Sequence, residues 1–119
     1  MGNTLRGNGR LGIETTNGCT IPGNSSSDNT VGGIYCNGGC AIVGNTVFDN
    51  QNRGISTLGG ATLVGNAVSN NEKEGFNLLA TDGFSNNVLT GNNGGNAEDQ
   101  TSGGRDRGHN LCGTRTTCP

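Results

Sequence analysis

Carboxylates, one histidine and five cysteines are the groups in this chain with chemistry to offer. Asp28 and Asp49 stand 21 residues apart, and Asn70 continues their column at the same interval. Two carboxylates stacked in neighbouring repeats are placed to share a calcium ion. Polysaccharide-active proteins use clustered acids in this way, with calcium or an Arg or Lys base. An Asp beside an Asn turn position also bonds its own backbone, and a corner role is the first reading of both residues. Asp28 and Asp49 are the ligand or calcium candidates, and no residue is assigned a catalytic role. Glu14 starts an outward column continued by Tyr35, Ser56 and Asn77, with Arg53 elsewhere around the repeat. His109 lies in a polar tail with Arg105, Asp106 and Arg107, where a surface or cap role is expected. No nucleophile motif, phosphate-cradling loop or metal-spaced cluster of His and Cys is present in the sequence.

Cys19 and Cys40 are one repeat apart in the same column, and Cys36 follows Ile34 on the same strand face. Stacking brings Cys19 and Cys40 to about 5 Å at Cα, inside the range for a disulfide, although parallel side-chain vectors favour a buried thiol ladder. With no His or carboxylate read into that column, a metal site is not expected. Cys112 and Cys118 close a short loop, where a disulfide contributes about 2 kcal/mol by the loop-entropy argument and implies an oxidising compartment.

These groups are positioned by a repeat. Gly-Asn recurs at Gly2-Asn3, Gly23-Asn24, Gly44-Asn45 and Gly65-Asn66, and Asn86-Asn87 follows in register. A second column holds Asn8, Asn29, Asn50, Asn71 and Asn92. Together these are Asn3, Asn8, Asn24, Asn29, Asn45, Asn50, Asn66, Asn71, Asn87 and Asn92, expected to form structural ladders at the corners. Gly12, Gly33, Gly54 and Gly75 precede Ile13, Ile34, Ile55 and Phe76, and Ile21, Ile42, Leu63 and Phe84 form another apolar column. Leu5, Val47, Val68 and Leu89 form a third, with Ser26 as its exception. Thr46-Val47-Phe48, Ile55-Ser56-Thr57 and Thr62-Leu63-Val64 read as three short strands per unit, with Gly and Asn at corners that need positive φ. Strands of successive units lie about 4.8 Å apart, so an Asn column can hydrogen-bond to the units above and below.

The pattern Gly-Asn-Thr-Val-x-x-Asn, a turn, Gly-Ile, then Ala-Thr-Leu-Val-Gly-Asn, as in residues 44–66, resembles the right-handed parallel β-helix repeat. That superfamily includes pectate-lyase-like, alginate-epimerase-like and periplasmic copper-processing proteins, and the resemblance covers roughly residues 2–92. It implies an all-β solenoid of four to five 21-residue coils over residues 1–92, followed by a polar C-terminal cap and tail over 93–119. The Cys-closed tail resembles the ends of secreted bacterial β-helix proteins. The expected location is extracellular or at the cell surface, with the periplasm as an alternative.

Composition agrees with a thin core extended by stacking. Leu, Ile, Val and Phe number 22 of 119 residues against 24 Gly and 19 Asn, and the net charge is only −2. Lys and Arg are too few for an ordinary nucleic-acid surface, and no apolar run reaches the length of a membrane helix. A structural or glycan- and partner-binding solenoid is expected, with no cofactor unless calcium. The alternative is the C-terminal part of a polysaccharide lyase, hydrolase or uronate epimerase. Ice binding is a weaker reading, since the column Thr20, Ala41, Thr62, Gly83 is broken. Met1 abuts a full coil, which suggests the end of a longer secreted protein. An uncovered first coil predicts pairing with upstream coils or with another copy.

Overall fold

The computed structural model describes residues 2–96 and 99–119. The chain winds through three parallel sheets, contributing one strand to each per coil, for about five coils within 31 × 28 × 22 Å. The first sheet stacks β1 (Thr4–Arg6), β4 (Ser25–Ser27), β7 (Thr46–Phe48), β10 (Ala67–Ser69), β13 (Val88–Thr90) and β16 (Leu111–Cys112). The second stacks β2 (Leu11–Asn17), β5 (Gly32–Gly38), β8 (Arg53–Thr57), β11 (Phe76–Asn77) and β14 (Thr101–Ser102). The third stacks β3 (Thr20–Pro22), β6 (Ala41–Val43), β9 (Thr62–Val64), β12 (Gly83–Ser85) and β15 (Arg105–Asp106). Thr4, Ser25, Thr46, Ala67 and Val88 stand opposite one another, a 21-residue register without slippage. Beyond it the partners of Phe76, Gly83 and Val88 are Thr101, Arg105 and Leu111, so the last coil is longer and its strands no longer obey the repeat. No helix among the described residues is long and apolar enough to cross a membrane.

Inside, the columns meet. Ile34, Ile55 and Phe76 face Ile42, Leu63 and Phe84, with Val47, Val68 and Leu89 completing the triangle, all essentially inaccessible. Phe76 and Phe84 pack edge to face at 5.6 Å between ring centroids. Ser26 breaks its apolar column without leaving a polar atom orphaned: its hydroxyl donates to Gly33 O at 2.9 Å and accepts from Asn29 Nδ2 at 3.1 Å.

The glycine column answers the asparagine column. A Cβ at Gly54 would lie 2.9 Å from Asn71 Nδ2, and one at Gly75 would lie 2.7 Å from Asn92 Nδ2. Only a hydrogen fits where the ladder passes. The ladder asparagines themselves do not take positive φ. That role falls to the residue before each one: Gly23, Gly44, Gly65 and Asn86 on one corner, and Gly7, Asp28, Asp49, Asn70 and Gly91 on the other. The sequence expectation placed the left-handed corner and the ladder on the same residues; they are neighbours, because the turn must be made before the amide can be aimed along the axis.

Candidate functional site

On the outer face of the second sheet, pleating sends alternate side chains outward, and Glu14, Tyr35, Ser56 and Asn77 stand in one column, one per coil. The floor they make is walled by Arg10 and Arg53 on one side and by Leu58 on the other, giving a groove of about 470 Å³. Val31 and Leu58 are about half exposed along it. Arg53 is held in place: its Nε donates to Glu74 Oε2 at 3.1 Å, one coil on, and its backbone N–H donates to Asn52 Oδ1 at 3.0 Å. The groove therefore offers one aromatic ring, apolar edges and a line of hydrogen-bonding groups on a rigid sheet. That set can stack against and hydrogen-bond a planar or ring-shaped polar ligand.

The two carboxylates singled out from the sequence lie elsewhere. Asp28 and Asp49 occupy the left-handed corner position between the first and second sheets, at φ 55° and 54°. Asp28 Oδ2 accepts from Arg6 Nε at 2.6 Å in an exposed ion pair. No group of three or more His, Cys, Asp or Glu residues close enough to hold a metal ion occurs among the described residues.

The cysteine column resolves differently from the expected thiol ladder. Cys36 and Cys40 form a disulfide within one coil, and Cys19 is a free, half-buried thiol. Cys36 and Cys40 flank the same corner and both point inward, so their sulfurs meet across the turn before either meets the coil below. Cys112 and Cys118 are bonded at the chain end. The Cys19 and Cys40 column also holds a carboxylate after all. Asp82, fully buried, stands two coils above Cys40 and closes the same corner by accepting from Ala61 N–H and Leu79 N–H, both at 2.7 Å, and from the Thr57 hydroxyl.

The sequence profile of the NosD family, described as periplasmic copper-binding protein, matches residues 1–105. The chain belongs to the NosD family. Right-handed parallel β-helices are the architecture of that family, and the three-sheet solenoid is this chain's version of it. Neither the curated proteins nor the solved structures contain a significant match.

Within this NosD-family solenoid both asparagine ladders are continuous and directional. Each ladder residue donates its backbone N–H and its Nδ2 to the Oδ1 of the residue one coil on. For Asn50 and Asn71 these distances are 3.1 and 2.8 Å, and for Asn45 and Asn66 they are 2.9 and 3.0 Å. The second amide proton goes to a carbonyl of the preceding coil, as from Asn66 to Ile42 O at 2.9 Å. The last acceptors are residues that the 21-residue rule does not find. Asn110 Oδ1 accepts from Asn87, and Gln100 Oε1 accepts from Asn92. Gln100 is fully buried and returns its own amide to Asn92 O and Asn96 O, both at 2.7 Å. Their signal was a buried-type amide in an otherwise solvated tail.

The polar tail is organised around Asp106. Its carboxylate accepts from Gly108 N–H at 2.7 Å, Asn110 Nδ2 at 2.6 Å and Cys118 N–H at 3.0 Å. Burial alone would raise its pKa, but the N–H donors of Cys118 and Gly108, the Asn110 amide and the neighbouring His109 together hold the carboxyl below the usual range. His109 takes a left-handed turn at φ 58° beside it. Arg105 donates to Ala80 O at 2.9 Å.

Proposed function

We propose that this chain is a structural β-helix segment of a periplasmic protein whose outer groove binds a polysaccharide. The observation that carries the reading is the single-file column Glu14, Tyr35, Ser56 and Asn77, flanked by the Arg53–Glu74 pair and the exposed edges of Val31 and Leu58. An extended sugar chain laid along the solenoid axis meets a new polar side chain every coil, about 4.8 Å apart, while the Tyr35 ring receives the C–H face of one sugar. Arg10 and Arg53 along one wall suit a glycan with carboxylate substituents better than a neutral glucan.

The family description also names copper. Four of the five cysteines are locked in disulfides, and Cys19 and His109 belong to no three-membered donor group among the described residues, so they do not fit a copper site and no copper chemistry enters the reading.

A glycan-array screen followed by calorimetry on the retained sugars tests the proposal. Tyr35→Ala is expected to weaken binding by about tenfold, in line with the loss of one stacked ring, and Arg53→Ala by a similar factor. A chain that retains no glycan, or whose binding is indifferent to both substitutions, overturns it.

A further inference from the structure

One corner of the solenoid gathers three cysteines of which only two are joined. Cys36 and Cys40 are bonded within the second coil. Cys19 sits in the corresponding position of the first coil: Thr20 stands opposite Ala41, and Ala41 N–H donates to Cys19 O at 2.9 Å, which places Cys19 and Cys40 directly one above the other. The side chain of Cys19 packs against the same core cluster that contains Cys36 and Cys40. The disulfide sulfurs reach down onto the first coil, where Cys40 Sγ lies 3.6 Å from Thr15 Oγ1 and 3.7 Å from Thr16 O, and Cys36 Sγ lies 4.0 Å from Thr16 O. In parallel strands about 4.8 Å apart, Cα atoms in register fall inside the span that a disulfide bridges.

We infer that Cys19 is an exchange partner of the Cys36–Cys40 bond, so that this corner holds either of two disulfides. The Cys19 thiol gives up its proton and attacks Cys40 Sγ; a Cys19–Cys40 bond forms, the Cys36–Cys40 bond breaks, and Cys36 leaves as a thiolate that takes up a proton. One disulfide and one thiol stand on each side, so no oxidant or reductant is consumed. Cys36 and Cys40 are sealed from solvent, whereas Cys19 is partly exposed. The sealed bond is therefore reached from inside the molecule, by the neighbouring coil, more readily than by a thiol from solution. The two arrangements do different mechanical work. The Cys36–Cys40 bond tightens a turn within one coil. The Cys19–Cys40 bond ties the first coil to the second, and the first coil is the one whose apolar Leu5, Leu11 and Ile13 are only partly covered.

The experiment holds the oxidised 119-residue chain at mildly alkaline pH, quenches with acid, alkylates the free thiol and maps the peptides without reduction. The expected result is alkylation distributed between Cys19 and Cys36, with a Cys19–Cys40 cross-linked peptide. Alkylation confined to Cys19 overturns the inference. Cys36→Ser supplies the second test. Oxidation of this variant is expected to give the Cys19–Cys40 bond with no alkylatable thiol, and amide exchange in Leu11–Asn17 about tenfold slower than in the parent. If Cys19 and Cys40 both stay alkylatable in that variant while Cys112–Cys118 remains intact, the inference fails.

Discussion

The two ends of the solenoid receive the same ladder and treat it differently. At the first coil, Asn3 and Asn8 donate upward to Asn24 and Asn29 across an exposed rim, beside a depression that opens onto Leu5, Ile13 and Ile21. At the last coil, Gln100 and Asn110 receive the ladders in full burial, beneath a tail fastened by Cys112–Cys118, by Asp106 and by a bond from Thr101 Oγ1 to Pro119 O. An amide hydrogen bond exchanged against water is worth about 1 kcal/mol, while a buried amide left without a partner costs about 1–3 kcal/mol. Side-chain amides at the two ends thus carry different weight, and the weight is set by the coil stacked on them.

Substitutions along one ladder break or sharpen this contrast. Asn50→Ala removes a fully buried amide that accepts from Asn29 N–H and Nδ2 and donates to Ser26 O and Asn71 Oδ1. It is expected to cost about 3–5 kcal/mol in denaturant unfolding, enough to unfold much of the population of a marginally stable domain. Gln100→Ala, at the closed end, is expected to cost about 2–4 kcal/mol, because Asn92 loses its acceptor in a buried setting. Asn8→Ala, at the other end of the same ladder, is expected to cost less than about 1 kcal/mol. Equal losses for Gln100→Ala and Asn8→Ala would show that the two ends are energetically alike.

The covalent and ionic fastenings give smaller effects. Cys118→Ser opens the terminal loop and is expected to remove about 2 kcal/mol from the cap, read as faster amide exchange at Leu111 and Cys112. Asp106 adds a pH dependence to the same region. A carboxyl whose folded pKa lies below its unfolded value stabilises the fold above that unfolded value, near 3.8, and loses the contribution as pH falls through the folded one. Cap amides are therefore expected to be protected at neutral pH and to exchange faster on acidification below about pH 4, an effect that Asp106→Asn abolishes. Smallest of all, Arg6→Ala at the exposed pair with Asp28 is expected to change stability by less than about 0.5 kcal/mol, with little salt dependence.

What the sequence disclosed follows from how strictly the coil repeats. The apolar columns, the strands and both ladders are visible because each occupies a fixed place in 21 residues, and the column from Glu14 to Asn77 is visible for the same reason. The walls of the groove are harder to read. Arg10 and Val31 share one position of the repeat but not its chemistry, Leu58 reaches the groove from a second position, and the Arg53–Glu74 pair depends on which way two long side chains bend. The choice between a Cys19–Cys40 and a Cys36–Cys40 partnership turns on side-chain direction at a corner, which spacing does not encode. Gln100 and Asn110 escape because a terminating acceptor is needed once per ladder and leaves no periodic trace.

The one-way hydrogen bonding of the ladders also constrains how such a chain can change length. Every interior rung joins residues 21 apart, so duplication or loss of one whole unit reconnects both ladders without altering a single rung. An insertion of any other size between two rungs must be extruded as a loop at a corner, or it shifts the amides of one column out of reach and leaves buried groups unpaired. Length in this molecule is therefore inherited in whole coils, and only the terminal cap, where the ladders stop, is free to vary one residue at a time.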